Sequence, residues 1–258
     1  MQLHLKTIGS GPPVVILHGM LGMLDNWQSF GRQLSQQHLV YLVDLRNHGK
    51  SERDDVMDYE TMAKDVRETM EAQWLYEGAV IIGHSMGGKT AMQLALDYPD
   101  LVKALIVVDI APVAYSGGHE QILAALNKVQ LTNVESRQIV FDQLLASIPN
   151  FIIVNFLMKN LTRSKDGSYR WKANLPAITK NYHQLLAAPV YHGTPYPGPG
   201  LFVWGGQSDY VNPDSEERIA DWFPGSEIVT IEEAGHWVHA DQPVQLIRII
   251  EDFIRKIG

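Results

Sequence analysis

Short runs of apolar residues recur along the chain and predict the strands of a sheet. The runs are Val14–Leu17, Leu39–Val43, Ala79–Ile82, Ala104–Val108, Leu201–Trp204 and Glu227–Ile231, and most of them are continuous. Runs that are continuous rather than alternating are typical of strands buried on both faces of a parallel sheet. Residues 2–8 alternate instead, and they predict a further strand at the start of the chain.

Three stretches between or after these strands show the periodicity of a helix. In residues 59–75 the apolar positions keep to one face of a helix. A second helical pattern, 86–98, stops at Pro99, and a third, 243–257, opens with Pro243 in its first turn. Because strands and helices alternate, the sequence predicts a doubly wound α/β fold with a mostly parallel sheet.

One long stretch, from Pro112 to Pro199, lacks a convincing buried strand and ends in a return rich in proline and glycine. Its helix-like segments are His119–Val129, Val134–Ser147, Asn150–Leu161 and Thr179–Ala187. An insertion of this length with its own helices is typical of a cap or lid rather than a loop. We therefore expect an α/β core formed by residues 1–111 and 200–258, and a helical cap formed by residues 112–199.

Composition narrows the classes of function. The 258 residues are 45% hydrophobic, which is enough for one large core. A net charge of −8 argues against nucleic-acid and membrane-surface partners. The absence of cysteine excludes disulfides, cysteine-ligated metals and thiol nucleophiles. The chain shows neither a secretory leader at its start nor an apolar run of membrane-spanning length, so we expect a soluble cytoplasmic protein.

The strongest chemical signal is the segment Gly83-His84-Ser85-Met86-Gly87-Gly88. An apolar strand leads into it and a helical pattern leaves it, which is the context of a nucleophile elbow. Small residues are needed there because the serine occupies a sharp, strained turn. A glycine-rich turn without chemistry is the competing interpretation, and the strand-to-helix context disfavours it.

A serine nucleophile requires a base, and His236 is the best placed of the 10 histidines. It follows the last predicted strand, at the carboxyl edge of the sheet, and it comes after the serine in the chain as this type of site requires. His239 is the alternative base, whereas we interpret His84 and His48 as structural.

An oxyanion hole needs two backbone N–H groups. The amide of Met86 is the first candidate, because the opening amides of a helix have no partner within the helix. The second lies in His18-Gly19-Met20-Leu21-Gly22, directly after a predicted strand. We expect Met20 to be the donor, with Leu21 as the alternative.

Two aspartates are candidates for the acid that orients the histidine. Asp109 follows the strand Ala104–Val108, and Asp209 follows the strand Leu201–Trp204. Both strands end at the same edge of a parallel sheet, so the pattern alone leaves both candidates open.

Four segments carry a resemblance that covers essentially the whole chain. They are 44–51 (DLRNHGKS), 83–89 (GHSMGGK), 108–113 (VDIAPV) and 235–240 (GHWVHA). The chain resembles the α/β-hydrolase superfamily and, within it, the YbfF-type bacterial esterases and their mitochondrial abhydrolase-domain relatives. The resemblance implies an α/β-hydrolase fold with a helical cap between strands 6 and 7. It also implies that Asp109 is the acid of the triad.

The resemblance further implies a serine esterase that hydrolyses small carboxylic esters, with acyl-CoA thioesters as a further candidate substrate. Such a Ser-His-Asp site needs no metal or organic cofactor. Two alternatives stay open: cofactor-free perhydrolysis, as in haloperoxidase-like enzymes, on the same triad, and a ligand-sensing relative that acts through a protein partner. The sequence leaves the oligomeric state open.

Two segments of the expected cap are candidates for substrate binding. Phe151 and Phe156 belong to an apolar run that forms either the packing face of the cap or a wall for the acyl chain. Residues 159–172 hold five basic side chains and one acidic one, a local charge of +4. This segment is either a solvated face or, through Arg163 and Lys165, a landing site for the phosphates of coenzyme A.

Overall fold

The computed structural model describes residues 1–132, 134–210 and 213–258. The strands are β1 (Leu5–Ile8), β2 (Pro13–Leu17), β3 (Leu39–Val43), β4 (Ala79–His84), β5 (Val102–Val108), β6 (Leu161–Arg163), β7 (Tyr169–Trp171), β8 (Gly200–Gly205) and β9 (Ser226–Ile231). The α-helices are α1 (Gln28–Leu34), α2 (Tyr59–Ala72), α3 (Met86–Asp97), α4 (Glu120–Lys128), α5 (Arg137–Ser147), α6 (Phe151–Met158), α7 (Leu175–Lys180), α8 (Tyr182–Leu186), α9 (Pro213–Trp222), α10 (Val238–Asp241) and α11 (Pro243–Ile257).

Seven of the described strands form one sheet in the order β1-β3-β2-β4-β5-β8-β9. Only β1 runs antiparallel to its neighbour among these strands, and the six others pair in parallel. Every residue of β4 and of β8 is buried. Burial on both faces explains why these strands read as continuous apolar runs. The predicted α/β-hydrolase fold with a mostly parallel sheet is confirmed.

The side chains of alternate strand residues belong to two hydrophobic layers, one on each face of the sheet. In β2, Val15 and Leu17 belong to the layer that also holds Met62 and Val66 of α2. The opposite layer contains Ile16 together with side chains of α1 and of α11, whose buried residues are Leu246, Ile250 and Phe253. Among the described residues, no helix combines the length and apolar character needed to cross a bilayer.

The segment between β5 and β8 contains helices α4 to α8, much as the helical periodicity predicts. It lies between the fifth and sixth strands of the seven-stranded sheet in chain order, and not between strands 6 and 7 as expected, because this sheet has one strand fewer before the insertion than that expectation assumed. The hairpin of β6 and β7, in which Leu161 pairs with Trp171, was not predicted. Its strands have three residues each and are partly exposed, so they carry no continuous apolar run.

Candidate active site

Ser85 occupies a single-residue turn between the end of β4 and the start of α3. Its backbone angles are φ 52° and ψ −119°, in a region that side-chain-bearing residues rarely adopt. A Cβ on Gly83 would lie 2.2 Å from the Gly87 carbonyl oxygen, and one on Gly87 would lie 2.4 Å from the Leu17 carbonyl oxygen. The glycines are therefore required by close backbone contacts, and the turn holds the serine at the carboxyl edge of the sheet.

His236 and Asp109 come together at the same edge from two different strands. The Nδ1 of His236, in the loop after β9, lies 2.7 Å from Oδ2 of Asp109, which directly follows β5. Asp109 is completely buried, and it also accepts hydrogen bonds from the Gly205 amide, at 2.8 Å, and from the Ser208 hydroxyl. Hydrogen bonds to a carboxylate are stronger than those between neutral groups, so this buried acid is well compensated.

The structure separates the two candidate acids. Asp209 lies in the loop after β8 with its side chain exposed, whereas Asp109 is bonded to His236. The backbone of Asp109 is held by a hydrogen bond from its amide to the Val203 carbonyl, at 2.9 Å, and has a φ of 51°. This backbone geometry turns the carboxylate toward His236 directly at the strand end.

Tyr210, which the sequence pattern did not single out, covers one face of the His236 imidazole. The ring of Tyr210 stacks on His236 with a centroid distance of 4.1 Å and an interplanar angle of 24°. The hydroxyl of Tyr115 donates a hydrogen bond of 2.7 Å to the Tyr210 carbonyl. Tyr210 directly follows Asp209, but nothing in the local pattern distinguishes it from an ordinary loop residue.

Burial lowers the pKa of the other histidines near the site. His84 lies beneath His236 and donates from Nε2 to the His236 carbonyl, at 2.8 Å, and burial holds its pKa well below the ordinary value. His239, the alternative base, stacks on Trp27 at 4.2 Å, and burial lowers its pKa to about 3. Its Nδ1 has no hydrogen-bond partner in the described part of the chain. The candidate acid Asp109 is therefore hydrogen-bonded to His236 rather than to His239.

Met20 and Leu21, the two candidates for the second oxyanion donor, differ in the hydrogen bonding of their backbone amides. The Leu21 amide donates to Nε2 of His48, at 3.0 Å, and the other ring nitrogen of His48 donates to the Arg46 carbonyl. Burial lowers the pKa of His48 to about 3, so the ring stays neutral and keeps this acceptor. The Met20 amide has no acceptor among the described residues, and the Met86 amide opens α3.

Ser85 borders two cavities. The larger, of about 220 Å³, has mostly apolar walls and is also bordered by Met20, Ile153, Phe156, His236 and Trp237. The smaller, of about 30 Å³, is bordered by Tyr59, Met86, Lys89, Ile110, Tyr115 and Leu186. Apolar walls with a few polar groups at the reacting centre are typical of small-molecule sites.

The four candidate substrate-binding side chains lie in different surroundings. Phe156 lines the larger cavity, whereas Phe151 is 64% exposed and does not line it. Arg163 is exposed, with its guanidinium 4.9 Å from the centre of the Tyr169 ring, and Lys165 is exposed as well. The structure thus brings one of these four residues to the cavity beside Ser85.

Lys89, one turn after Ser85 on α3, is a buried cation that the sequence pattern did not single out. Its side chain is 1% exposed, and burial lowers its pKa to about 7. Its ammonium group donates to the carbonyls of Leu186, at 3.1 Å, and Ala187, at 2.5 Å, and lies 4.6 Å from the centre of the Tyr115 ring. Lys89 therefore ties α3 to the end of α8.

Several known proteins with similar sequences are named esterases or lipases. A family model described as alpha/beta hydrolase fold matches residues 12–243. The chain is 36% identical to the esterase YbfF of Escherichia coli strain K12, over 94% of this chain and 92% of that protein. It is 38% identical to the Xenopus laevis protein named sn-1-specific diacylglycerol lipase ABHD11, over 95% of this chain and 80% of that one.

A solved structure titled marine microorganism esterase superposes with a TM-score of 0.95 and 42% sequence identity, covering 98% of this chain and 99% of the other. A thioesterase domain from the curacin biosynthetic pathway has a TM-score of 0.73 at 21% identity, covering 96% of this chain and 95% of the other, and that likeness speaks for the fold alone.

Proposed function

This chain belongs to the α/β-hydrolase family and is a carboxylic ester hydrolase, and on that basis we propose that Ser85, His236 and Asp109 cleave small carboxylic esters through an acyl-enzyme. The observation that carries the proposal is the 2.7 Å contact between His236 and the buried Asp109, beside a cavity that both Ser85 and His236 line. A base held by a buried acid, beside a serine that borders the same cavity, is the arrangement that nucleophilic acyl transfer requires.

Acylation begins when Nε2 of His236 takes the proton of the Ser85 hydroxyl as its oxygen attacks the ester carbonyl carbon. The carbonyl oxygen becomes negative and accepts hydrogen bonds from the amides of Met20 and Met86. Asp109 stabilises the imidazolium that forms. When the tetrahedral intermediate collapses, the bond to the alcohol oxygen breaks, and that oxygen receives the proton from Nε2.

Deacylation repeats these steps with water as the nucleophile. His236 takes a proton from water, the hydroxide attacks the acyl carbon, and the same two amides hold the oxyanion. Collapse then breaks the bond to Ser85, whose oxygen recovers the proton, and the carboxylic acid leaves. The hydrogen bond to Asp109 occupies Nδ1 of His236, so Nε2 is the nitrogen free to exchange protons with Ser85 and the substrate.

The proposal is tested by replacing the nucleophile. Ser85→Ala should lower the turnover of p-nitrophenyl acetate by about 10⁴-fold or more, by analogy with triad knockouts in general. Ser10→Ala, in the exposed turn between β1 and β2, is the matched control and should behave as wild type. A fluorophosphonate probe should add one label per chain, on the peptide that contains Ser85. Labelling elsewhere, or activity within tenfold of wild type in Ser85→Ala, would overturn the assignment.

The same assay addresses the alternative of ligand sensing. A sensor would hydrolyse one molecule and retain the product, so product release would stop at one equivalent per chain. An esterase would turn over steadily at excess substrate.

Perhydrolysis, the other alternative, is tested by adding hydrogen peroxide to the assay and comparing the amount of peracid formed with the amount of carboxylic acid formed.

Acyl-CoA thioesters are a second candidate substrate class because of the charge near the larger cavity. Lys159 is exposed and directly follows α6, whose Phe156 and Leu157 line that cavity. Lys159 begins the basic segment 159–172, whose exposed charges suit the phosphates of coenzyme A. Thioester cleavage would use the same acylation and deacylation steps, with a thiol as the leaving group.

A further inference from the structure

The placement of Ser85 between two cavities of unequal size points to a substrate class. We propose that the smaller cavity receives the acyl group and the larger one the alcohol, so that the enzyme prefers esters of short acids with bulky apolar alcohols. This inference rests on the proposed function, because it takes Ser85 as the nucleophile and His236 as the base.

The two cavities meet at the nucleophile. Met20, Ser85, His119 and Tyr210 border both of them, so these residues form the boundary at which the ester carbonyl must sit. Tyr210 is held there by the Tyr115 hydroxyl, and its own hydroxyl lies 3.3 Å from Nε2 of His119. A carbonyl carbon at Ser85 therefore has its two substituents directed into different cavities.

Proton transfer decides which substituent enters which cavity. The alcohol oxygen must receive its proton from His236 as it leaves, so it must lie on the side of the imidazole. His236 borders the larger cavity and is absent from the walls of the smaller one, whereas Met86, a proposed oxyanion donor, borders the smaller. The alcohol therefore extends into the larger cavity, and the acyl chain extends into the smaller.

The volumes then limit the acyl chain. One water-sized group needs about 10–15 Å³, so the smaller cavity of about 30 Å³ holds two or three such groups. This is enough for the chain carbons of a propionyl or butyryl group beyond the carbonyl. The larger cavity of about 220 Å³ has room for an aromatic or branched alcohol between Ile153, Phe156 and Trp237.

Hydrogen bonds fix the wall of the smaller cavity in place, so the wall does not move aside for a longer acyl chain. Carbonyl groups at the end of α8 accept hydrogen bonds from three groups: the Tyr59 hydroxyl to Leu185, at 2.6 Å, the Lys89 ammonium to Leu186 and Ala187, and the Tyr115 amide to Leu186, at 2.9 Å. Because the contacts use backbone carbonyls, a side chain on this wall can be shortened without removing them.

The wild-type enzyme provides the first test, with two ester series. With p-nitrophenol as the fixed alcohol, kcat/KM should fall at least tenfold between butyrate and hexanoate and stay low for octanoate. With acetate as the fixed acid and ethanol, butanol, hexanol and 2-phenylethanol as alcohols of similar acidity, kcat/KM should rise or stay level with size. A flat or rising acyl series, or a steep fall in the alcohol series, would overturn the inference.

A pair of truncations assigns each cavity. Leu186→Ala shortens a half-buried side chain of the smaller cavity, and Ile153→Ala does the same in the larger. Leu186→Ala should raise the ratio of kcat/KM for p-nitrophenyl hexanoate to kcat/KM for p-nitrophenyl acetate at least fivefold over the wild-type ratio. Ile153→Ala should change the alcohol series and leave the acyl profile as in wild type. Reversed effects would exchange the two assignments and refute the inference.

Failure of the inference can be distinguished from failure of the proposed function. If Ser85→Ala kept its activity, the triad itself would be wrong, whatever the chain-length profile. If hydrolysis depended on Ser85 but long acyl chains reacted as fast as short ones, the triad would stand and the acyl assignment alone would fall. The wild-type profile decides this point even if a truncation variant fails to fold.

Discussion

Asp109 and His236 are joined by a 2.7 Å hydrogen bond although they follow different strands and lie 127 residues apart in the chain. The bond forms because β5 and β9 both end at the carboxyl edge of the sheet, separated by β8 alone. Asp209 follows β8 itself, but its side chain is exposed. This difference in burial and contact allows the roles of the two aspartates to be tested directly.

Asp109→Asn should lower kcat by about 10³–10⁴-fold, because an amide cannot stabilise the imidazolium and can favour the wrong tautomer of His236. Asp209→Asn is the matched control and should cost less than about tenfold. Steady-state kinetics on p-nitrophenyl acetate, with circular dichroism to verify folding, measures both. The opposite ranking would assign the acid to Asp209, and comparable losses would mean that the two residues share the role.

The buried Lys89 predicts a specific dependence of stability on pH. Its pKa is about 7 in the folded protein and about 10.5 in the unfolded chain, so between these values the unfolded state binds more protons. The cost of burying the charge is present in full below pH 7 and is relieved as the pH rises toward 10.5. This group alone should make unfolding less favourable by up to about 1.4 kcal/mol per pH unit in that window.

Lys89→Met should remove this contribution. Urea denaturation at pH 7, 8, 9 and 10 should show a smaller increase of the unfolding free energy with pH in the variant than in wild type. Lys103→Met, at an exposed position of β5, is the control and should retain the wild-type slope. Equal slopes in wild type and Lys89→Met would show that Lys89 keeps an ordinary pKa in the folded protein.

His239→Phe should separate the two candidate bases. Phenylalanine can keep the stacking on Trp27, so folding should be retained, and kcat for p-nitrophenyl acetate should stay within about tenfold of wild type if His236 is the base. His236→Ala should instead lose activity to the level of Ser85→Ala, because the two residues act as one unit. A collapse of activity in His239→Phe would instead identify His239 as the base.

The same variant should be more resistant to acid. The pKa of His239 is about 3 in the folded protein and 6.5 in the unfolded chain, so the unfolded state gains a proton first as the pH falls below 6.5. At pH 5 this favours unfolding by at most about 2 kcal/mol. Relative to pH 8, His239→Phe should therefore lose less stability at pH 5 than wild type does, as measured by urea denaturation.

The basic segment 159–172 should matter for charged substrates alone. Replacing Arg163 and Lys165 with serine should raise KM for an acyl-CoA and leave KM for a neutral ester unchanged, and added salt should weaken acyl-CoA binding selectively. Replacing Arg248 and Arg255 on α11, 84% and 70% exposed, is the matched control. Equal effects on both substrates would identify the segment as a solvated face.

The sequence by itself determined the fold class and the sharp turn that holds Ser85. Buried strands require continuous apolar runs, and helices require a periodic apolar face, so both are visible locally. The turn around Ser85 is equally local, because the glycines that permit it lie within two or three residues of the serine. The hairpin of β6 and β7 escaped prediction because its pairing joins short, partly exposed segments.

Only the tertiary structure decided which side chains come into contact at the carboxyl edge of the sheet. Asp109 and Asp209 are indistinguishable as residues that follow strands, and their different burial depends on how the loops after β5 and β8 turn. Tyr210 over His236, Lys89 against the end of α8 and the two cavities around Ser85 are likewise contacts between distant segments. Such contacts follow from the packing of whole elements, which no local pattern of residues records.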